Sequence, residues 1–247
     1  MIPFDTLIWL SAGCLLAYFL KAFSGFGSAL VFVPVVTLLF DATTALAASA
    51  LVDLFVGLAM VLVLTYERRD ARILVEMCIA IMVGTAIGSV LAGAVSARLI
   101  QLLIGAAVLW LGARLLVRHG PEPSETSHRS GWFLSTMCFV GGITGGLIGI
   151  SGPPIVGAAK PVMDKSAFRR RMAMIFFVQS PVKLVVYPLN GVWTEWVWPV
   201  SLACAIPIVV GMAIGFRAHW KVSERMFSVV VGVILIVLAA RVLWGVM

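Results

Sequence analysis

The chain has 247 residues, of which 62% are hydrophobic and only 12% charged, and its mean hydropathy is +1.09. A soluble domain carries about 25% charged residues to cover its surface, so this composition excludes a water-solvated globule and makes the bilayer the main solvent. At ~20 residues per spanning helix the length allows about ten crossings at most. That leaves no room for a separate cofactor-binding domain, and the excess of 18 Lys and Arg over 11 Asp and Glu reads as a cytoplasmic rim rather than a nucleic-acid surface.

Apolar runs cover 7–20, 28–40, 44–64, 73–94, 99–117, 132–150, 153–163, 172–189, 196–215 and 226–246. The first is preceded by Met1-Ile2-Pro3-Phe4-Asp5, without a basic stretch or an A-x-A cleavage pattern, so it is expected to remain in the mature protein. The runs 28–40 and 153–163 are too short to span. Each follows a glycine-rich interruption, Ser24-Gly25-Phe26-Gly27-Ser28 and Gly149-Ile150-Ser151-Gly152-Pro153-Pro154, which predicts a broken helix or a hairpin. The long polar connection 118–130, with Gly120, Pro121 and Pro123, divides a first membrane repeat at 1–117 from a second at 131–247. His119, His128 and His219 fall in polar connections, and Cys14, Cys78, Cys138 and Cys204 stand singly in apolar runs. Neither set has metal-ligand or disulfide-framework spacing, so no metal and no cofactor is expected.

The halves are related by duplication at a constant offset of 127 residues (151 minus 24). Ser24-Gly25 falls on Ser151-Gly152, Pro34 on Pro161, and Gly84-x-x-x-Gly88 on Gly211-x-x-x-Gly215. Val95-Ser96-Ala97-Arg98 falls on Val222-Ser223-Glu224-Arg225, and Ala113-Arg114 on Ala240-Arg241. Polar and glycine matches at one offset are not a by-product of hydrophobic composition. If each glycine-broken pair begins and ends on one side, the basic residues gather there: Arg68, Arg69, Arg72, Arg114, Arg118 and Arg129, then Lys165, Arg169 to Arg171, Arg217, Lys221 and Arg225. Only Arg98 and Arg241 are left opposite. The positive-inside rule therefore predicts outside termini and inverted halves, an arrangement common in secondary transporters. Whether the broken segments are re-entrant or cross fully stays open, because both have the same parity. The predicted fold is an all-α polytopic membrane protein of two inverted repeats, each a glycine-broken helical pair followed by three transmembrane helices.

Ionisable groups inside the runs are few: Lys21, Asp53, Lys160 and Lys183, with Gln179 and Glu76 beside them. Each charge costs at least ~2.5 kcal/mol at mid-membrane, so such groups face cavities or partners. Asp53 is either one member of a buried ion pair or a proton-titrating, gating carboxylate. Lys21 and Lys160 flank the breaks and either snorkel to the interface or face an anion; Lys183 is the least suited to snorkelling. Glu76 is expected to pair locally with an arginine. Where a glycine-rich turn opens a helix at membrane depth, the first backbone N–H groups lack acceptors and the dipole presents partial positive charge, which suits an anion. Glycine admits close backbone approach, and Ser24, Ser28 and Ser151 add hydroxyls. The substrate-contacting set is thus Lys21, Ser24, Gly25, Phe26, Gly27, Ser28, Ser151, Gly152, Pro153, Gln179 and Lys183. Gly141, Gly145 and Gly149, like Gly84 with Gly88 and Gly211 with Gly215, read as helix-packing steps. Ser180-x-x-Lys183 matches an acyl-enzyme pattern without its accompanying signatures, so no enzyme is expected. Arg169-Arg170-Arg171 reads as a headgroup anchor, and Trp193, Trp196 and Trp198 as an interfacial belt.

Ser24-Gly25-Phe26-Gly27-Ser28 before Pro34, the run from Thr144 to Pro154, Ala167-Phe168-Arg169, and Lys183-Leu184 with Tyr187 and Gly191 together resemble the TauE/SafE family of sulfite-exporter-like permeases over nearly the whole chain. The family commonly shows a fuller glycine cluster at both breaks, where this chain has serine, alanine or proline at some positions. The resemblance implies an inner-membrane carrier that moves sulfite or short organosulfonates, often outward. The residues by themselves reach a secondary transporter for a small anion, with a proton gradient as energy source and Asp53 as its carrier. An anion channel, a carrier of a non-sulfur carboxylate, an intramembrane enzyme and an assembly subunit are the alternatives, and a homo-oligomer is compatible with all of them.

Overall fold

The computed structural model describes residues 2–63, 71–117, 131–159, 165–218 and 224–246, with backbone only at 24, 71, 165–167, 169, 218 and 224–228. The linker 118–130, the three histidines, Lys160 and Pro161 lie outside the described residues. The described residues form ten helices: α1 Phe4–Ser24, α2 Ser28–Leu39, α3 Ala42–Val63, α4 Ala71–Ala94, α5 Ala97–Val117, α6 Gly131–Ile148, α7 Gly152–Ala159, α8 Lys165–Leu189, α9 Val197–Ala218 and α10 Glu224–Trp244. Seven are long and apolar enough to cross a membrane.

Length follows directly from the apolar runs. The 21 residues of α1 rise about 31 Å at ~1.5 Å per residue, matching a ~30 Å hydrocarbon core. The 12 residues of α2 and the 8 of α7 reach only about 18 and 12 Å and cannot span alone. Polarity is inverted relative to a soluble protein. Phe55, Leu62, Leu202 and Ile206 are exposed, while Lys21, Thr44, Ser151, Gln179 and Lys183 are buried. The chain is a multi-pass membrane protein whose polar interior is shielded from lipid.

The helices gather into two compact units that interleave in sequence: Met1–Ser49, Val95–Pro121 and Thr194–Met247 form unit 1, and Ala50–Ala94 with Glu122–Trp193 form unit 2. Unit 1 rests on two helix pairs. In the first, α1 lies along α9, where a Cβ added at Gly211 would meet the Leu15 carbonyl oxygen at 2.4 Å and one at Gly215 the Phe19 oxygen at 2.5 Å. In the second, Gly112 faces Ile236 and Gly232 faces Leu116 while Gly105 faces Leu243, so α5 and α10 run antiparallel. Arg98 donates to the Val246 carbonyl (2.6 Å) and Gln101 to that of Val242 (3.1 Å), tying the start of α5 to the end of α10. In unit 2 the corresponding close pair is α4 with α6. A Cβ at Gly84 would stand 2.2 Å from the Phe139 oxygen, and one at Gly88 2.1 Å from that of Ile143. The small-xxx-small spacing thus brings backbone against backbone, as expected where packing rather than hydrophobicity drives association.

Several local expectations are met. Arg72 pairs with Glu76 one turn away at 3.2 Å on an exposed face. Cys14, Cys138 and Cys204 are buried free thiols and Cys78 is half-buried. They are less solitary than their spacing implies: Cys14 of α1 places its Sγ 2.8 Å from that of Cys204 on α9. Trp196 tilts against Phe40 at 5.6 Å between centroids, while Trp198 is exposed.

Candidate functional site

Both glycine-rich interruptions are true helix breaks. At the first, α1 ends because Gly25 takes a left-handed conformation (φ 84°) and its N–H caps the Lys21 carbonyl at 2.8 Å. Two residues later Gly27 (φ 97°) opens α2 with no side-chain cap. A residue with a Cβ is strained at both positions, which is why glycine brackets Phe26. Ser28 begins α2 and is buried. Lys21 is only 3% exposed and its ammonium lies 5.6 Å from the centre of the Tyr18 ring, within cation–π range. Burial this deep removes the snorkelling alternative for Lys21. Only the backbone of Ser24 is described.

At the second break α6 ends at Ile148, Gly149 turns the chain (φ 77°), and α7 opens at Gly152. Here the chemistry differs from the first. Pro153 and Pro154 have no N–H, so α7 lacks two of the donors that a helix start normally offers, and the polar groups come from side chains of α8. Gln179 is 4% exposed and donates its Nε2 to the Ser151 Oγ at 3.1 Å. Its Oε1 is buried without a partner. Lys183, one turn further along α8, is 3% exposed, and Ser151 5%. A Cβ at Gly145 would lie 2.7 Å from the Ser151 Cβ and 2.9 Å from the Gln179 Oε1, so the missing side chain of Gly145 is what admits this corner.

Another turn along α8, Tyr187 is buried and donates to the Gly146 carbonyl at 2.7 Å. The last four carbonyls of α6 have no intrahelical partner; Tyr187 satisfies one of them and so fixes the end of α6 at the break. Gln179, Lys183 and Tyr187 recur every four residues and form one polar stripe on α8. On α4, Thr85 and Ser89 lie beside Gly146; the Thr85 hydroxyl is buried without a partner, while that of Ser89 faces the Tyr187 hydroxyl. Ser180 donates to the Phe176 carbonyl of its own helix at 3.3 Å, an intrahelical bond rather than a nucleophile–base pair.

Unit 2 therefore brings together Ser151, Gly152, Pro153, Gln179 and Lys183. Lys21, Gly25, Phe26, Gly27 and Ser28 cluster at the break of unit 1. Asp53 is half-buried on α3 in unit 2, one turn before Gly57, whose added Cβ would stand 3.1 Å from the Phe177 Cα of α8. No group of three His, Cys, Asp or Glu gathers among the described residues.

Sequence reasoning passed over Asp41. This residue caps α3, accepting from the Thr44 N–H (2.7 Å), the Thr44 hydroxyl (2.5 Å) and the Thr43 hydroxyl. Thr44 in turn meets the Thr194 hydroxyl at 2.6 Å. Burial pushes the Asp41 carboxyl upward, but the Thr43 and Thr44 hydrogen bonds outweigh it and hold the group below the usual carboxylate range. The signal was available as Asp-x-x-Thr immediately before an apolar run.

Comparison with known proteins accords with this picture. The model of the sulfite exporter TauE/SafE family matches residues 10–242, and the chain belongs to that family. A probable sulfite/organosulfonate exporter TauE from Cupriavidus necator is 31% identical over 116 residues, covering 47% of this chain and 44% of that protein. The alignment thus spans less than half of the curated relative. No solved structure matches.

Proposed function

We propose that this member of the TauE/SafE family is a secondary transporter that carries a small sulfur-containing oxyanion, sulfite or a short organosulfonate, outward across the inner membrane. The observation that carries this reading is the buried corner at the second break. Ser151 and Gln179 meet there, and Lys183 lies buried one turn further along the same stripe of α8. A hydroxyl and an amide supply directional hydrogen bonds to oxygen. The first break, with Lys21, Ser24, Gly25, Phe26, Gly27 and Ser28, is the repeat counterpart, where an uncapped helix start adds backbone donors to the serine hydroxyls.

Transport proceeds by alternating access in a chain of two inverted repeats. Support for the inversion comes from α5 and α10, which are equivalent under the 127-residue offset and run antiparallel. Asp53 couples transport to protons, and both termini lie outside. Flux of sulfite, sulfoacetate, taurine, sulfate and acetate into proteoliposomes tests the reading, with Ser24→Ala, Ser151→Ala and Asp53→Asn in parallel. Selective sulfite or sulfonate flux, lowered at least about tenfold by either serine change through loss of a charge-assisted hydrogen bond, supports it; acetate carried as well as sulfite overturns the sulfur assignment. Pore-like flux removes alternating access, and unaltered pH-gradient dependence in Asp53→Asn removes the coupling role.

A further inference from the structure

We propose that Gln179 is the specificity-determining residue of the second break, and that its carbonyl oxygen selects an oxyanion still carrying a hydrogen-bond-donating proton over the fully deprotonated form. The inference rests on the transport reading above and narrows its substrate to a protonation state.

The ground is the division of labour within one buried amide. Nε2 is committed to the Ser151 Oγ at 3.1 Å, while Oε1, turned toward Gly145, has no donor. A bare buried acceptor is costly, and a ligand that donates to it recovers that cost. Because Ser151 accepts from Gln179, its own hydroxyl proton remains available to a ligand oxygen. Pro153 and Pro154 withhold two backbone donors from the start of α7.

A corner with one hydroxyl donor and one orphaned acceptor matches an anion bearing an O–H, such as hydrogensulfite. The fully deprotonated form would set a lone pair against Oε1 with no proton to share. The amide can also turn over, so that Ser151 donates to Oε1 and Nε2 faces the ligand; that arrangement would favour the deprotonated form, and the two predict opposite pH responses.

The protein's own titratable groups around this corner are few. α6 and α7 carry no Asp, Glu, His, Lys or Arg. α8 brings Lys183 and Tyr187 together with Arg170 and Arg171 near its start, α3 brings Asp53, and α4 brings Arg72 and Glu76, which pair with each other.

The test is initial flux of sulfite and of methanesulfonate through the full chain in proteoliposomes, from pH 6 to 9 without a pH gradient. Methanesulfonate has one charge and no titration in this range, so it reports the protein's own pH response. The sulfite-to-methanesulfonate flux ratio is expected to fall about tenfold per pH unit above the last ionisation of sulfite. Gln179→Met, close in size but without the acceptor, is expected to flatten that slope. Ser151→Ala, which frees the amide to turn, is expected to weaken it and serves if the Met variant does not fold. A wild-type ratio that is constant or rises with pH overturns the inference, as does an unchanged slope in Gln179→Met. If neither anion is carried at any pH, the transport reading itself has failed.

Discussion

Replacing Gly88 with alanine probes the α4–α6 interface where it is tightest. The added Cβ would sit 2.1 Å from the Ile143 carbonyl oxygen and 2.9 Å from both its carbonyl carbon and its Cα. All three are backbone atoms of a helix, so no rotamer change relieves the clash. Reaching an ordinary contact of 3.4 Å requires the helices to part by more than 1 Å, which forfeits about half of each dispersion contact along the crossing. Overpacking of this kind costs typically about 1–3 kcal/mol, and backbone on both sides places Gly88→Ala near the top of that range. For a chain of this size the loss corresponds to a fall of roughly 5–10 °C in the unfolding midpoint. Gly157→Ala is the control, because nothing lies within 4 Å of a Cβ there and alanine favours the helix by about 0.5–1 kcal/mol. Scanning fluorimetry of detergent-solubilised protein reads both. A Gly88→Ala midpoint within a degree or two of wild type, or equal to that of Gly157→Ala, would refute the close-approach argument. Gly215→Ala, against the Phe19 oxygen at 2.5 Å, should repeat the Gly88 result in unit 1.

Tyr187→Phe removes the hydroxyl that satisfies the Gly146 carbonyl and should cost about 1–2 kcal/mol, seen as faster hydrogen exchange at the end of α6; exchange equal to wild type would deny the capping role. Asp41→Ala removes the cap of α3 at a cost of about 1–2 kcal/mol. The folded carboxyl lies below its unfolded value, so its stabilisation is full above the unfolded pKa of about 4 and is lost as pH falls through the depressed folded value. Asp41→Asn should therefore narrow its gap to wild type as pH is lowered toward 3, and a gap that widens contradicts the sign. Mild oxidation of a chain cut within 118–130 should join the two fragments through Cys14 and Cys204, whose sulfurs lie 2.8 Å apart, and Cys14→Ser should abolish the joined band. Fragments that separate on a non-reducing gel would contradict the α1–α9 register.

The helices were legible because two strong signals coincide: apolar runs set their lengths, and glycine pairs set the breaks. The run 28–40 became α2 at Ser28–Leu39 and the run 73–94 became α4 at Ala71–Ala94, since no propensity opposes a helix in a segment whose backbone cannot bond to lipid. Gly84 and Gly88 announced close packing but not its partner; small-xxx-small spacing has the same form whichever helix comes to it. Gln179 and Lys183 stood out as polar residues in an apolar run, whereas Tyr187 did not, because a tyrosine is ordinary in such a run and the orphaned carbonyl it serves belongs to another helix. The different chemistry of the two breaks was written in Pro153 and Pro154, whose missing N–H groups take two donors from the start of α7.

The interleaving of the two units bears on how the protein is made. α1 leaves the ribosome well before the helix that covers its carbonyl-lined face, α9, which begins at Val197. At ~5–20 residues per second that partner arrives ten seconds or more later, and during the delay lipid or an insertion chaperone occupies the groove. α4 and α6 meet much sooner, on either side of the 118–130 connection. Unit 2 can thus close its tight helix pair while unit 1 still awaits its last two helices. A nascent chain arrested near residue 190 would hold one finished unit and one open one, and a fragment ending at residue 117 would insert without ever acquiring the helix on which α1 depends.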